Sequence, residues 1–483
     1  MLFNSLSFCL FMPTVFLLYW LVFKRVRSQN LFLLVASYFF YACWSSKFTL
    51  LIIFTTLCSW LSALCVERWK YSRRRQRWAL WSNIVVNLGI LFTFKYYDFF
   101  GEQLSALFRV FGIQLDWVTL GLVLPVGISF YTFQAIAYCV DVYRGQIPAC
   151  RNIITFASFM SFFPQLVAGP IERASSLLRQ FELPRVFSRP QVVEGLKTIL
   201  WGLFKKLVIA DNCAPFVTAV FDNYTGYNST DLIYAMVLFT FQIYGDFSGY
   251  SDIALGCGKL LGFELTRNFN YPYFSRNIPE FWRRWHITLN LWFRDYVYFP
   301  LGGSRCSKWK RLRNTFTVFL LSGLWHGASL TFVSWGMFHA CLFVPRIIKG
   351  KKRDKNESPH PEAKGFVANV KLQWAIWSTF FLVALSRVFY RANSLPDAFA
   401  YIRRMFTSFQ PPYIPTGGRT VGLYILVFIL VEWFNRRHPH PFHFSGNQVL
   451  FSNEWVRLAL YSVLFVFILL AAGGGQTFIY FQF

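Results

Sequence analysis

NTFTVFLLSGLWHGASLTFVSWGMFHACLFV, residues 314–344, contains no Asp, Glu, Lys or Arg. A helix needs roughly 20 apolar residues to cross the hydrocarbon core of a bilayer, and this run exceeds that length. It is long enough to enter or cross a membrane, and the glycines mark where it would break, near Gly323 to Gly327. His326 sits near its middle, in Ser322-Gly323-Leu324-Trp325-His326-Gly327. A titratable imidazole at membrane depth costs free energy unless something pairs with it, so it marks a functional-site hypothesis. The flanking glycines thin the backbone and let a ligand or another helix come close. A neutral imidazole there can serve as general base toward a hydroxyl, with Trp325 as an aromatic wall. A lone buried histidine is, however, more often a hydrogen-bonded core residue, and the rest of the chain has to decide.

The chain has 483 residues, of which 55% are hydrophobic and 14% charged, and its mean hydropathy is +0.39. Further apolar runs at 6–23, 30–45, 48–66, 79–97, 119–140, 371–389, 420–434 and 456–473 approach span length. They are continuous, which disfavours a β-barrel, whose strands alternate. The expected class is therefore all-α, a polytopic integral membrane protein. Basic residues follow the first run and do not precede it, so it reads as a retained span with the N-terminus outside. Residues 155–169 are apolar but short and broken by Pro164 and Gly169, as a re-entrant segment would be. Residues 194–210 form a helix holding Lys205 and Lys206, and 270–313 mix Trp and Phe with Arg, as an interfacial helix would. One membrane domain, 1–483, is expected: N-terminal spans 1–118, a motif-bearing core 119–345, a charged loop 346–370, and C-terminal spans 371–483.

Net charge is +26, concentrated between apolar runs around residues 24–27, 68–77 and 346–355. The positive-inside rule places the first two basic loops in the cytoplasm, consistent with an outside N-terminus. Nucleic-acid binding is disfavoured, because no soluble basic domain exists to carry it. Ten cysteines are scattered without a Cys-x-x-Cys pair, so neither a metal site nor a disulfide framework is indicated. His438, His440 and His443 alternate with prolines, and metal binding there is disfavoured too.

Three further constellations accompany His326. In Phe281-Trp282-Arg283-Arg284-Trp285-His286, continuing through Arg294-Asp295 to Arg305, Glu280 and Arg284 are i,i+4 partners on a helix, as are His286 and Asn290. Arg283, Arg284 and Arg294 are suited to phosphate groups of a donor or a lipid. In Gly245-Asp246-Phe247-Ser248-Gly249-Tyr250-Ser251-Asp252 two carboxylates in an apolar stretch need partners. Asp246 is expected to pair an arginine or orient a histidine, and Asp252 to form a structural pair. Pro125 to Gln134 reads as close helix packing. His339, on a straight helix, falls on a largely different face from His326.

Together these segments resemble the membrane-bound O-acyltransferase superfamily, and within it the alginate O-acetyltransferase branch. The resemblance rests on Pro125 to Gln134, Phe163 to Ile171, Asp246 to Asp252, Pro279 to Arg305 and Ser322 to Ser329, in family order. It implies about eleven spans with re-entrant segments around a central tunnel, and transfer of an acyl group from a thioester to a hydroxyl. The family's motif histidines fall on His326, as general base, and His286, which would orient, bind or assist proton movement. Trp325, Arg283, Arg284, Arg294, Asp246, Ser248 and Asn290 are the candidate substrate- and donor-binding residues. No tightly bound cofactor and no metal is implied; acetyl-CoA or another acyl thioester is the donor substrate. Membrane lipid, an extracytoplasmic acetyltransferase and polysaccharide synthesis or export machinery are the implied partners, at the inner membrane. Tyr298 to Arg305 looks more like the alginate branch than like the D-alanyl transferases of teichoic acid modification. A transporter, flippase or scaffold of an export complex is the competing class.

Overall fold

The computed structural model describes residues 1–167, 169–350, 365–409, 416–438, 440–442, 453–476 and 478–479. Most of the charged loop, 351–364, and His443 lie outside the described residues. Among the described residues the chain is helical, with no strand. Six helices among the described residues are long and apolar enough to cross a membrane: Ser46–Arg68, Arg73–Val110, Leu330–Ile348, Phe366–Arg391, Gly418–Asn435 and Glu454–Ala471. Leu6–Leu21 is apolar but shorter. Lys308–His326 opens on Lys308, Lys310, Arg311 and Arg313, which take its first turns out of the apolar class.

The chain divides into two compact units. The first comprises Met1–Ile199 and Ile253–Thr266. Its centre is the helix Ile128–Tyr143, buried along almost its whole length. The apolar run at 119–140 becomes helical only at Ile128, after Gly127 takes a left-handed φ of 75° that a side chain would strain. The segment at 155–169 is two pieces, Ile153–Ser161 and Phe163–Leu166, both buried. Where the two pieces meet, the Phe163 N–H and the Gln165 side chain find partners within the unit, as depth in a membrane requires. Phe163 N donates to Ser37 Oγ at 3.1 Å, and Gln165 Nε2 to Gln134 Oε1 at 2.8 Å.

The second unit comprises Leu200–Asp252 and Arg267–Phe483. Its most intimate contact is a helical hairpin, Lys308–His326 against Leu330–Ile348, turning at residues 327–329. A Cβ on Gly323 would lie 2.3 Å from the Phe332 carbonyl oxygen, and one on Gly336 2.3 Å from that of Phe319. Two helices can meet backbone to backbone only where the side chain is missing. The glycine beside His326 thus admits a helix. Gly323→Val is expected to force the hairpin apart. Ordinary overpacking costs about 1–3 kcal/mol, and a clash with backbone has less room to relax. Thermal unfolding in detergent should show a lower midpoint than wild type, and an unchanged midpoint would contradict the packing.

Within the same unit, Gly245 and Gly249 bring the part of the helix Ser229–Leu260 that ends at Asp252 against the chain at 202–210. Their absent Cβ positions lie 2.8 Å from the Lys205 and Gly202 carbonyl oxygens. That approach lets Lys205 and Lys206, in the π-helical turn Phe204–Ala210, reach carboxylates across the interface. Lys205 pairs with Asp252 at 2.7 Å, and Lys206 with both Asp211 and Asp246 at 2.8 Å.

Candidate active site

Both motif histidines belong to the second unit, and its packing brings them together. His326 ends one arm of the hairpin and is 2% exposed. His286 lies between two short helices, Ile278–Arg284 and Ile287–Phe293, and is fully buried. Their ring centroids are 6.4 Å apart. Trp325 stands beside both, 5.7 Å from His286 and 5.0 Å from His326. Phe247 packs edge-on to His286 at 4.6 Å. Trp335 packs edge-on to His326 at 5.0 Å, and Tyr390 lies 5.6 Å from it. The Tyr390 hydroxyl is 3.3 Å from His326 Nδ1, which fixes the orientation of that imidazole.

His286 holds a left-handed backbone, φ 44° and ψ 54°. A non-glycine residue persists there only where its surroundings over-determine it. Asn290 Nδ2 donates to the carbonyls of Trp282, Trp285 and His286 at 2.8, 2.6 and 3.2 Å. The i,i+4 relation of His286 and Asn290 is therefore made to backbone. Asn268 braces the other side: its carbonyl accepts from Ile287 N at 2.9 Å and its Oδ1 from Thr288 Oγ1 at 2.6 Å. The bend between the two helices aims the His286 ring into the aromatic cluster.

Asn290 also lines a cavity of about 1110 Å³ together with Arg283, Arg294, Arg305, Arg311 and Arg346. No carboxylate is among its described lining residues. Five guanidinium groups around one cavity suit a polyanion, since arginine binds phosphate through paired charge-assisted hydrogen bonds. The cavity abuts the histidine cluster through its walls. Phe319 lines it and packs on Trp282 at 5.2 Å, and Trp282 packs on Trp335 at 5.7 Å.

The other candidates are placed differently. Arg284 is buried in a 2.7 Å pair with Glu280, which Arg276 shares, and does not line the cavity. Arg294 lines the cavity and pairs with Asp295. Asp246 pairs neither an arginine nor a histidine: Lys206 takes its carboxylate, and Ile479 N donates to Oδ2 at 2.7 Å. Ser248 is fully buried on that same helix. His339 departs from the straight-helix expectation. The turn at 327–329 folds its helix back, so Trp335 touches His339 as well as His326, both at 5.0 Å. Both His339 nitrogens are engaged: Trp282 Nε1 donates to Nδ1 at 3.3 Å, and Nε2 meets Ser386 Oγ at 3.0 Å. Trp335, Tyr390 and Arg387 complete the cluster without standing in any motif singled out from the sequence. Arg387 lies in the apolar run 371–389, and an ionisable side chain there is itself a signal of the kind that marks His326.

Six apolar helices of spanning length among the described residues mark a multi-pass membrane protein. The family model of the membrane-bound O-acyltransferases, MBOAT, matches residues 150–385, which contain both histidines and all five cavity arginines. The chain is 38% identical to the probable alginate O-acetylase AlgI of Pseudomonas aeruginosa, over 90% of this chain and 82% of the relative. It is 36% identical to the probable alginate O-acetylase AlgI of Pseudomonas putida over the full length of both. It is 35% identical to the peptidoglycan O-acetyltransferase of Helicobacter pylori, over 84% of this chain and 80% of the relative. The chain belongs to the membrane-bound O-acyltransferase family and is an O-acyltransferase.

Proposed function

We propose that this protein takes an acetyl group from a cytoplasmic thioester, acetyl-CoA or a carrier-bound equivalent, for O-acetylation of an exported cell-envelope polysaccharide, with His326 as general base. The observation that carries this reading is the placement of two histidines 6.4 Å apart in one aromatic cluster, beside a cavity lined by five arginines. This role requires the tautomer in which Nδ1–H of His326 donates to the Tyr390 oxygen, 3.3 Å away, so that Nε2 keeps its lone pair for the acceptor's proton. The acceptor oxygen adds to the thioester carbonyl carbon. Collapse of the adduct forms the ester and expels the thiolate, which takes the proton from the imidazolium. His286 sits across the cluster to orient the acceptor or assist that proton's movement.

The arginines suit the phosphates of the donor. Arg346, on the cavity wall, begins the basic segment 346–355, and excess positive charge of that kind favours the cytoplasmic side. That sidedness goes with an inner-membrane location and an extracytoplasmic N-terminus. Acetyl is favoured over D-alanyl by the names of the relatives above. The acceptor belongs to the polymer or to a separate extracytoplasmic acetyltransferase that completes the transfer within the export machinery.

The test is thiol release from acetyl-CoA by the purified chain in lipid vesicles, with de-acetylated envelope polysaccharide from a deletion strain as acceptor. Wild type should release thiol and acetylate the polymer. Arg311→Gln/Arg346→Gln should raise KM for acetyl-CoA about tenfold or more with kcat kept, since a hydrogen bond to a charged group is worth roughly 1.5–3 kcal/mol. An unchanged KM would remove the cavity from donor binding. Movement of an intact solute with no thiol released would refute the acyl-transfer reading.

A further inference from the structure

Arg387 is the strangest side chain in the second unit. It lies on the spanning helix Phe366–Arg391, is 1% exposed, and has no carboxylate partner among the described residues. Its guanidinium lies over the Trp285 ring at 4.4 Å from the centroid, with Trp335 at 5.8 Å and Tyr390 at 5.5 Å. Those rings attract the cation through their faces. They leave its N–H edge unspent: Nε and Nη2 have no hydrogen-bond partner among the described residues. A buried donor with nothing to bond is costly and is rarely left so without a use. Trp335 Nε1, on one of the same rings, is buried and also lacks a partner among the described residues.

The location narrows what these donors are for. Trp335 and Tyr390 are the two rings that also flank His326, so the general base and Arg387 share both walls. Arg387 and Tyr390 are i,i+3 neighbours on one helix face. Trp285, the ring closest to the guanidinium, immediately precedes His286. The polyphosphate of a donor has its own arginines in the cavity described above. What remains for a second cation inside the histidine cluster is charge created during the reaction itself.

We propose that Arg387 binds the carbonyl oxygen of the thioester and stabilises the oxyanion formed when the acceptor adds to it. This rests on the acyl-transfer reading given under Proposed function. As the acceptor oxygen bonds to the carbonyl carbon, its proton goes to His326 and the carbonyl π pair moves onto oxygen. The guanidinium N–H groups, joined by Trp335 Nε1, donate to that oxygen. When the carbonyl re-forms, the carbon–sulfur bond breaks and the thiolate leaves with the proton from His326. Preorganised donors aimed at developing charge in a dry site are usually the largest single contribution to such catalysis.

Arg387→Ala and Arg387→Lys test this in lipid vesicles with acetyl-CoA, alongside wild type and His326→Ala. Arg387→Ala should lose about 100-fold or more in kcat, the usual cost of removing an oxyanion donor, with KM for acetyl-CoA within about threefold. Guanidinium chloride at low millimolar concentration should restore part of that kcat, and sodium chloride at the same concentration should not. Arg387→Lys keeps charge and bulk but lacks the forked donors, and should fold like wild type with kcat still well below it. Wild-type kcat in either variant overturns the inference, as does a loss confined to KM. Should Arg387→Ala fail to fold, Arg387→Lys alone decides. Turnover in wild type and none in His326→Ala shows that the acyl-transfer reading stands, so that a failure at Arg387 falls on this inference only.

Discussion

His326→Ala should reduce acetyl transfer by about 10²–10⁴-fold, the usual contribution of a positioned general base, while expression and membrane insertion hold. The rings around the imidazole also have contacts of their own. Trp335 and Tyr390 pack on each other, Tyr390 packs on Phe332, and Trp325 packs on His286. Loss of kcat in protein that still folds, with at most a modest drop in unfolding midpoint from the buried large-to-small change, is the expected signature. Acetyl content of the envelope polysaccharide, measured in a deletion strain complemented with each variant, reads the same effect in cells. Full acetylation by His326→Ala would remove this residue from the mechanism. A scaffold of an export complex would also predict a silent substitution, since it needs no base at that point.

Much of this site was legible because membranes make polar residues conspicuous. His326 stands out in a run without charge, and the glycines around it signal close approach. The hairpin turn at 327–329 is written in Gly327-Ala328-Ser329, where Ser329 caps the second helix by accepting from Thr331 N at 3.2 Å. What the sequence could not supply was distance. Nothing local says that His286 lies 6.4 Å from His326, because a left-handed bend braced by Asn268 and Asn290 creates that approach. The same holds for His339. Helical periodicity places it away from His326 only while the helix runs straight, and the turn between them voids the argument.

Charge pairing was legible in need but not in partner. The carboxylates of Asp246 and Asp252 had to be compensated, and Lys205 and Lys206 stood in an apolar stretch of their own. Their union depends on Gly245 and Gly249 admitting the opposing backbone, a tertiary fact. Arg387 carried the same signal as these groups, an ionisable side chain inside an apolar run. It lacked a motif around it, and only the surrounding aromatic rings reveal its setting.

Lys206→Met should be the most damaging substitution away from the histidines. Its ammonium is 1% exposed and bridges Asp211 and Asp246, each at 2.8 Å, while donating to the Gln476 carbonyl at 3.0 Å. Removing one partner of a buried ion pair costs roughly 3–5 kcal/mol, because the opposite charge is left uncompensated. Here two carboxylates would be left. The loss should appear as poor recovery of folded protein and a sharply lowered unfolding midpoint in detergent. Lys206→Met/Asp211→Asn/Asp246→Asn removes the charges together and should recover much of that stability, as replacing whole buried pairs often does. Activity should not follow stability back. Asp246 also accepts from Ile479 N at 2.7 Å, and the neighbouring Phe478 packs on Phe247, whose ring abuts His286 at 4.6 Å. The triple variant loosens that stack, so it should fold yet turn over more slowly than wild type. Full activity in a stable triple variant would show that the cluster serves the fold alone and does not position His286.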